Sequence, residues 1–72
     1  MKTTKVTTGI YTFTYKGHVF EVENMAVGSD GETKGWFVFI KDKDGDREYV
    51  MDYDTKWFAI QRTIERVDQG LI

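Results

Sequence analysis

The chain has 72 residues, 10 Lys+Arg against 12 Asp+Glu for a formal net charge of −2, and no Cys. Its length fits one domain, the missing thiols exclude a disulfide or thiolate metal framework, and the charge balance excludes a global attraction to nucleic acid or anionic membrane. A domain this small buries only about 60% of its unfolded surface, and the 5 Phe, 4 Tyr and 2 Trp supply the large rings that offset this.

Taken in chain order, residues 1–8 are polar and Thr-rich and read as a flexible N-terminus, with Val6 able to begin an edge strand. They contain basic residues but no apolar h-region, and no run in the chain is long enough to span a bilayer. The expectation is a soluble cytoplasmic protein. Residues 10–53 read as an antiparallel sheet. From Ile10 to Tyr15, Thr12 and Thr14 alternate with Tyr11, Phe13 and Tyr15, which predicts a strand with an aromatic face. Lys16-Gly17 predicts a tight turn. In the second strand, from His18 to Val27, Phe20 and Val22 point one way and Val19, Glu21 and Glu23 the other. Met25 and Val27 break that phase, and a bulge near Asn24 would reconcile them.

Gly28-Ser29-Asp30-Gly31-Glu32 reads as a solvent-exposed loop. Trp36-Phe37-Val38-Phe39-Ile40 is the strongest strand signal and is apolar on both faces, which leaves open which face meets the rest of the core. Asp44-Gly45 predicts the next hairpin turn. The fourth strand runs from about Arg47 to Asp52, with Tyr49 and Met51 on a shared face. Asp54 or Thr55 can cap a helix over residues 55–69, and Gly70 suits its stop. The predicted buried stripe of that helix is Trp57, Ile60, Ile64 and Val67, bordered by Phe58 and Ala59. Lys56 near its start and Asp68 near its end both oppose the helix dipole. The fold class is therefore α+β: a three- or four-stranded antiparallel β-sheet packed against one C-terminal α-helix (β-β-β-β-α), one domain over residues 1–72.

Little in the chain points to catalysis. An EF-hand loop needs acids at positions one, three and five, Gly at six and Glu at twelve. Here Gly45 falls between Asp44 and Asp46, and Tyr53 stands at the twelfth position from Asp42. The segment reads as a charged hairpin tip, with no metal and no cofactor expected. His18 is the only histidine and Ser29 the only serine, too little material for a triad or a three-ligand metal site. One helix covers only one face of such a sheet. Either the sheet curls around the helix or aromatics remain exposed as a protein interface, a dimer seam or a base-stacking platform.

The Trp36-to-Ile40 strand, the charged turn with Gly45, Tyr49, and Asp54-Thr55-Lys56-x-x-Ala59 before an amphipathic helix together resemble a known arrangement. It is that of the sheet-plus-helix DNA-binding domains of plant AP2 type and of the arm-binding domains of phage integrases, over roughly residues 17 to 68. Small phage and mobile-element proteins are similar too. The resemblance implies a sheet that enters the major groove, with Trp36, Lys34, Lys41, Arg47 and Tyr49 at the matching strand positions. The chain departs from it in carrying acids at positions 42, 44, 46, 48 and 52 where that surface is basic.

The expected function is a small non-enzymatic protein-interaction or regulatory module of phage or mobile-element type. Trp36, Phe39, Tyr49 and Tyr53 are its candidate anchors, and Asp42, Asp44 and Asp46 offer an acidic contact for a basic partner. One alternative is a nucleic-acid-binding domain using Lys16, Lys34, Lys41, Lys43 and Arg47. The other is a structural homodimer joined through strand edges or the second sheet face. No membrane partner is expected.

Overall fold

The computed structural model describes residues 3–26 and 33–72; the loop expected from Gly28 to Glu32 lies outside them. The described residues form β1 (Thr4–Thr7), β2 (Ile10–Tyr15), β3 (His18–Ala26), β4 (Lys34–Lys41), β5 (Arg47–Tyr53) and α1 (Lys56–Asp68). The strands make one sheet in the order β1-β2-β3-β4-β5, with every neighbouring pair antiparallel. The α+β class and the C-terminal helix agree with the sequence reading, but there are five strands rather than three or four. The extra strand lies in the segment expected to fray. β-branched Thr4, Val6 and Thr7 favour extended backbone, and Gly9 at φ 84° closes the turn into β2. All four β1 residues are exposed, so no hydrophobic alternation announces the strand.

Each hairpin has a local cause. Lys16 (φ 48°) and Gly17 (φ 83°) both take positive φ, as a two-residue type I′ turn requires. At the β4–β5 turn, Gly45 (φ 88°) donates its N–H to the Asp42 carbonyl at 3.0 Å. The Asp42 carboxylate accepts the N–H groups of Asp44 and Asp46, both at 2.9 Å. Asp42 is thus a turn organiser, holding backbone donors that would otherwise need water.

Strand register sorts the side chains into cross-strand rows. On the helix side run Tyr11–Val22–Val38–Met51, Phe13–Phe20–Ile40 and Asn24–Trp36–Tyr53. On the other side run Ile10–Glu23–Phe37–Asp52, Thr12–Glu21–Phe39–Tyr49 and Thr14–Val19–Lys41–Arg47. The β3–β4 register is regular through Asn24, so the bulge expected there is absent. It lies instead on β5: Val38 faces Met51 while Phe39 faces Tyr49, leaving Val50 as the extra residue. Tyr49 and Met51 therefore point to opposite faces rather than sharing one.

Thr55 caps α1, its hydroxyl accepting the Phe58 N–H at 3.2 Å. Gly70 (φ 76°) ends it in a Schellman arrangement, with Leu71 N–H donating to the Arg66 carbonyl at 2.9 Å and Gly70 N–H to that of Val67 at 3.1 Å. The two charges that oppose the dipole are held by tertiary contacts. Asp68 bonds the Lys16 ammonium at 2.6 Å and accepts the Tyr15 hydroxyl at 2.9 Å. Lys56 lies over the Tyr11 ring, 3.9 Å from its centroid. The helix end is thereby tied to the β2–β3 turn, where Lys16 holds positive φ. Lys16 and Tyr15 draw the Asp68 carboxyl below its usual range, and Asp68 in turn raises both of them.

The core comprises Phe13, Phe20, Val22, Val38 and Met51 from the sheet and Ala59, Ile60 and Val67 from the helix. Large fully buried side chains such as Phe20, Ile60 and Val38 each contribute about 1.5–3 kcal/mol through removal from water. Thr63 is buried as well. Its hydroxyl donates to the Ala59 carbonyl at 2.8 Å and touches the Met51 sulfur at 3.6 Å. The helix meets the sheet's rings with Ile60 and Val67 and with two smaller residues, Ala59 and Thr63. This rolls α1 away from the expected stripe: Trp57 is 62% exposed and Ile64 only half-buried.

Candidate interaction surface

The sheet face opposite α1 has no covering layer among the described residues. Phe37, Phe39 and Tyr49 form its aromatic centre. β4 projects Phe37 and Phe39 two residues apart, and the bulge at Val50 turns Tyr49 onto the same side. The Tyr49 ring centroid lies 6.1 Å from that of Phe37 and 6.3 Å from that of Phe39, the latter edge-on. Tyr49 is 54% exposed. Its hydroxyl donates to Asp52, which raises the phenol above its ordinary value, with partial desolvation adding to the effect.

A charged group frames the rings. The Arg47 guanidinium lies 4.1 Å from the Phe39 ring centroid. One of its nitrogens, Nη1, reaches both Glu21 at 2.5 Å and Glu23 at 2.8 Å. Glu23 and then Glu21 push the already high guanidinium pKa further up. Lys41 stands 3.8 Å from the second Glu21 oxygen. The Glu21 side chain is only 12% exposed and that of Glu23 23%, against 38% for Arg47. The acids are sunk between strands while the cation lies across the top, clamping β5 to β3 over the intervening β4.

The residues singled out from the sequence fall into separate places. Phe39 and Tyr49 belong to this open face. Trp36 and Tyr53 face each other across β4 and β5 on the helix side, half-buried against the core. The Trp36 ring meets Tyr11 at 6.0 Å, and the Tyr53 ring meets Phe58 edge-on at 4.9 Å. Asp42 is occupied by its own turn, while Asp44 and Asp46 stand exposed at the tip. The five candidate nucleic-acid cations do not make one surface. Lys16 is bound to Asp68, Lys41 and Arg47 serve Glu21 and Glu23, Lys43 is at the hairpin tip, and Lys34 pairs with Ala26 at the far end of β4.

Phe37, Glu21 and Glu23 were not among the residues proposed for the site. Their alternation in the sequence places each on one face of its own strand, but only the β3–β4 and β4–β5 registers together bring the two acids under Arg47. An open groove of about 500 Å³ lies beside this surface, between His18, Ile40, Asp46 and Arg47. Among the described residues, no three His, Asp or Glu side chains converge as a metal site, and no helix is long and apolar enough to cross a membrane. No protein-family model matches the chain, and neither a curated protein nor a solved structure matches it.

Proposed function

We propose that this chain is a non-enzymatic protein-interaction module that binds through the open sheet face, with Phe37, Phe39 and Tyr49 as anchors and Arg47 as a pre-positioned polar contact. The observation that carries this reading is the ring cluster on a face the helix leaves bare, since aromatic side chains and Arg dominate interface energetics. The Glu21–Arg47–Glu23 arrangement holds the guanidinium before a partner arrives, which lowers the ordering cost of binding. A protein partner suits the face better than nucleic acid, because its cations Lys41 and Arg47 are neutralised by Glu21 and Glu23, and phosphate binding draws on unneutralised charge.

Affinity capture from lysate with and without nuclease, using wild type, Phe39→Ser, Tyr49→Ser and Trp57→Ala, tests the reading. The expected result is a nuclease-resistant protein retained by wild type and by Trp57→Ala and lost from the two open-face variants. Nucleic acid that disappears on nuclease treatment, or a protein retained equally by all four, would refute it.

A further inference from the structure

The opposite side of the molecule carries a second surface, independent of the open sheet face. Spacings of four, three and four place Trp57, Gln61, Ile64 and Asp68 along one flank of α1. The flank looks out over β2, as the Lys56–Tyr11 and Asp68–Tyr15 contacts show. Trp57, Ile60, Gln61 and Ile64 line an apolar groove of about 230 Å³ there. Trp57 is 62% exposed, in contact with water across most of a large ring.

The ends of this flank carry opposite charges. Lys56 sits at one end with its ammonium 5.7 Å from the Trp57 ring centroid, and among the described residues no carboxylate pairs with it. Asp68 sits at the other end, three turns away; it already holds Lys16 and Tyr15, and its side chain stays 44% exposed, open to a second cation. We infer that the flank is a self-association seam, in which α1 of a second copy packs antiparallel about a twofold axis beside Gln61. Residues whose numbers add to about 122 then lie opposite one another. Trp57 enters the gap between Ile64 and Asp68 of the second copy, and Lys56 comes beside that Asp68, twice per dimer. Gln61 meets its own copy, and a primary amide both donates and accepts, so the pair satisfies itself. The antiparallel arrangement also opposes the two helix dipoles. A second copy supplies apolar side chains, a carboxylate and an amide at the three places where this flank needs them.

Light scattering on the full chain from micromolar to millimolar concentration, with Trp57 fluorescence alongside, tests the seam. The expected result is a rise from one-chain to two-chain mass, with emission shifting to the blue as Trp57 leaves water. Trp57→Ala, at a position too exposed to endanger folding, should weaken association by about thirtyfold, a typical loss for a truncated Trp anchor. Because the chain lacks Cys, Gln61→Cys should cross-link to a covalent dimer under mild oxidation. Arg62→Cys, on the other flank, should not. A one-chain mass throughout, equal cross-linking of the two Cys variants, or a blue shift seen only on adding an acidic peptide or anionic vesicles would overturn the inference.

Discussion

Arg47→Met removes the charge that organises the open face while keeping an unbranched apolar stem over Phe39. Both carboxylate contacts of Arg47 pass through the single nitrogen Nη1, so they count as one shared interaction rather than a bidentate pair. With the side chain 38% exposed, solvent screening holds that interaction to about 0.2–1 kcal/mol. The stacked cation adds about 0.5–1 kcal/mol at a site of this exposure. The expected loss is therefore about 1 kcal/mol, against a total of about 4–11 kcal/mol for a domain of this length. It should lower the urea midpoint by about 1 M, or the melting temperature by about 6 °C. In 1 M salt the Debye length is about 3 Å, so the carboxylate part fades and roughly half of the loss remains. A double-mutant cycle with Glu23→Gln, followed by urea titration at low and high salt, separates the two parts. Equal midpoints for wild type and Arg47→Met, or a loss that salt leaves unchanged, would refute the account of this network.

Thr55→Ala removes the cap of α1 and should cost about 1 kcal/mol, seen as a lower urea midpoint with an unchanged slope. Phe20→Ala opens a cavity in the centre of the core and should cost about 3–5 kcal/mol, leaving a large unfolded fraction by circular dichroism at room temperature. Asp68→Asn releases the helix end from Lys16 and Tyr15, and its effect depends on pH in a defined way. The Asp68 carboxyl is held below its usual range, so the stabilisation is complete above about pH 4 and disappears as pH falls through the depressed folded value. Lys16 and Tyr15 are raised, so the same tie is complete below about pH 10 and lost as pH climbs through their folded values. Melting curves of wild type and Asp68→Asn should differ most at neutral pH and converge at both extremes; a constant gap across the range would contradict the tie.

What was legible in the sequence is local. Lys16-Gly17 and Gly45 mark turns, and Gly70 the end of α1, because few residues accept their positive φ; Thr55 marks the start because its hydroxyl accepts the Phe58 N–H. Less legible is whatever depends on residues distant in the chain. Val50 looks like one more residue in an alternating strand, since Tyr49, Met51 and Tyr53 keep a two-residue period; only pairing with Val38 and Phe39 reveals the bulge. The roll of α1 is equally hidden. Trp57 belongs to the apolar stripe read from the spacing and polar Thr63 does not, yet packing against the sheet buries Thr63 and leaves Trp57 out. β1 is hinted at only by Val6, because it is buried on neither face and hydrophobic patterning has nothing more to report. Trp36 and Phe39 both belong to a strand apolar on two sides, and the register of β3 and β5 assigns one to the core and the other to the candidate surface.

The extra residue at Val50 also gives β5 two separable halves. Met51 and Tyr53 answer to the helix, while Arg47 and Tyr49 answer to solvent. A change in the first half of the strand therefore does not propagate as a volume error into the second. The outward positions of the hairpin from Phe39 to Tyr49 can be diversified as a set, with Ile40 kept for the core, Arg47 kept for Glu21 and Glu23, and the one-residue insertion serving as the boundary.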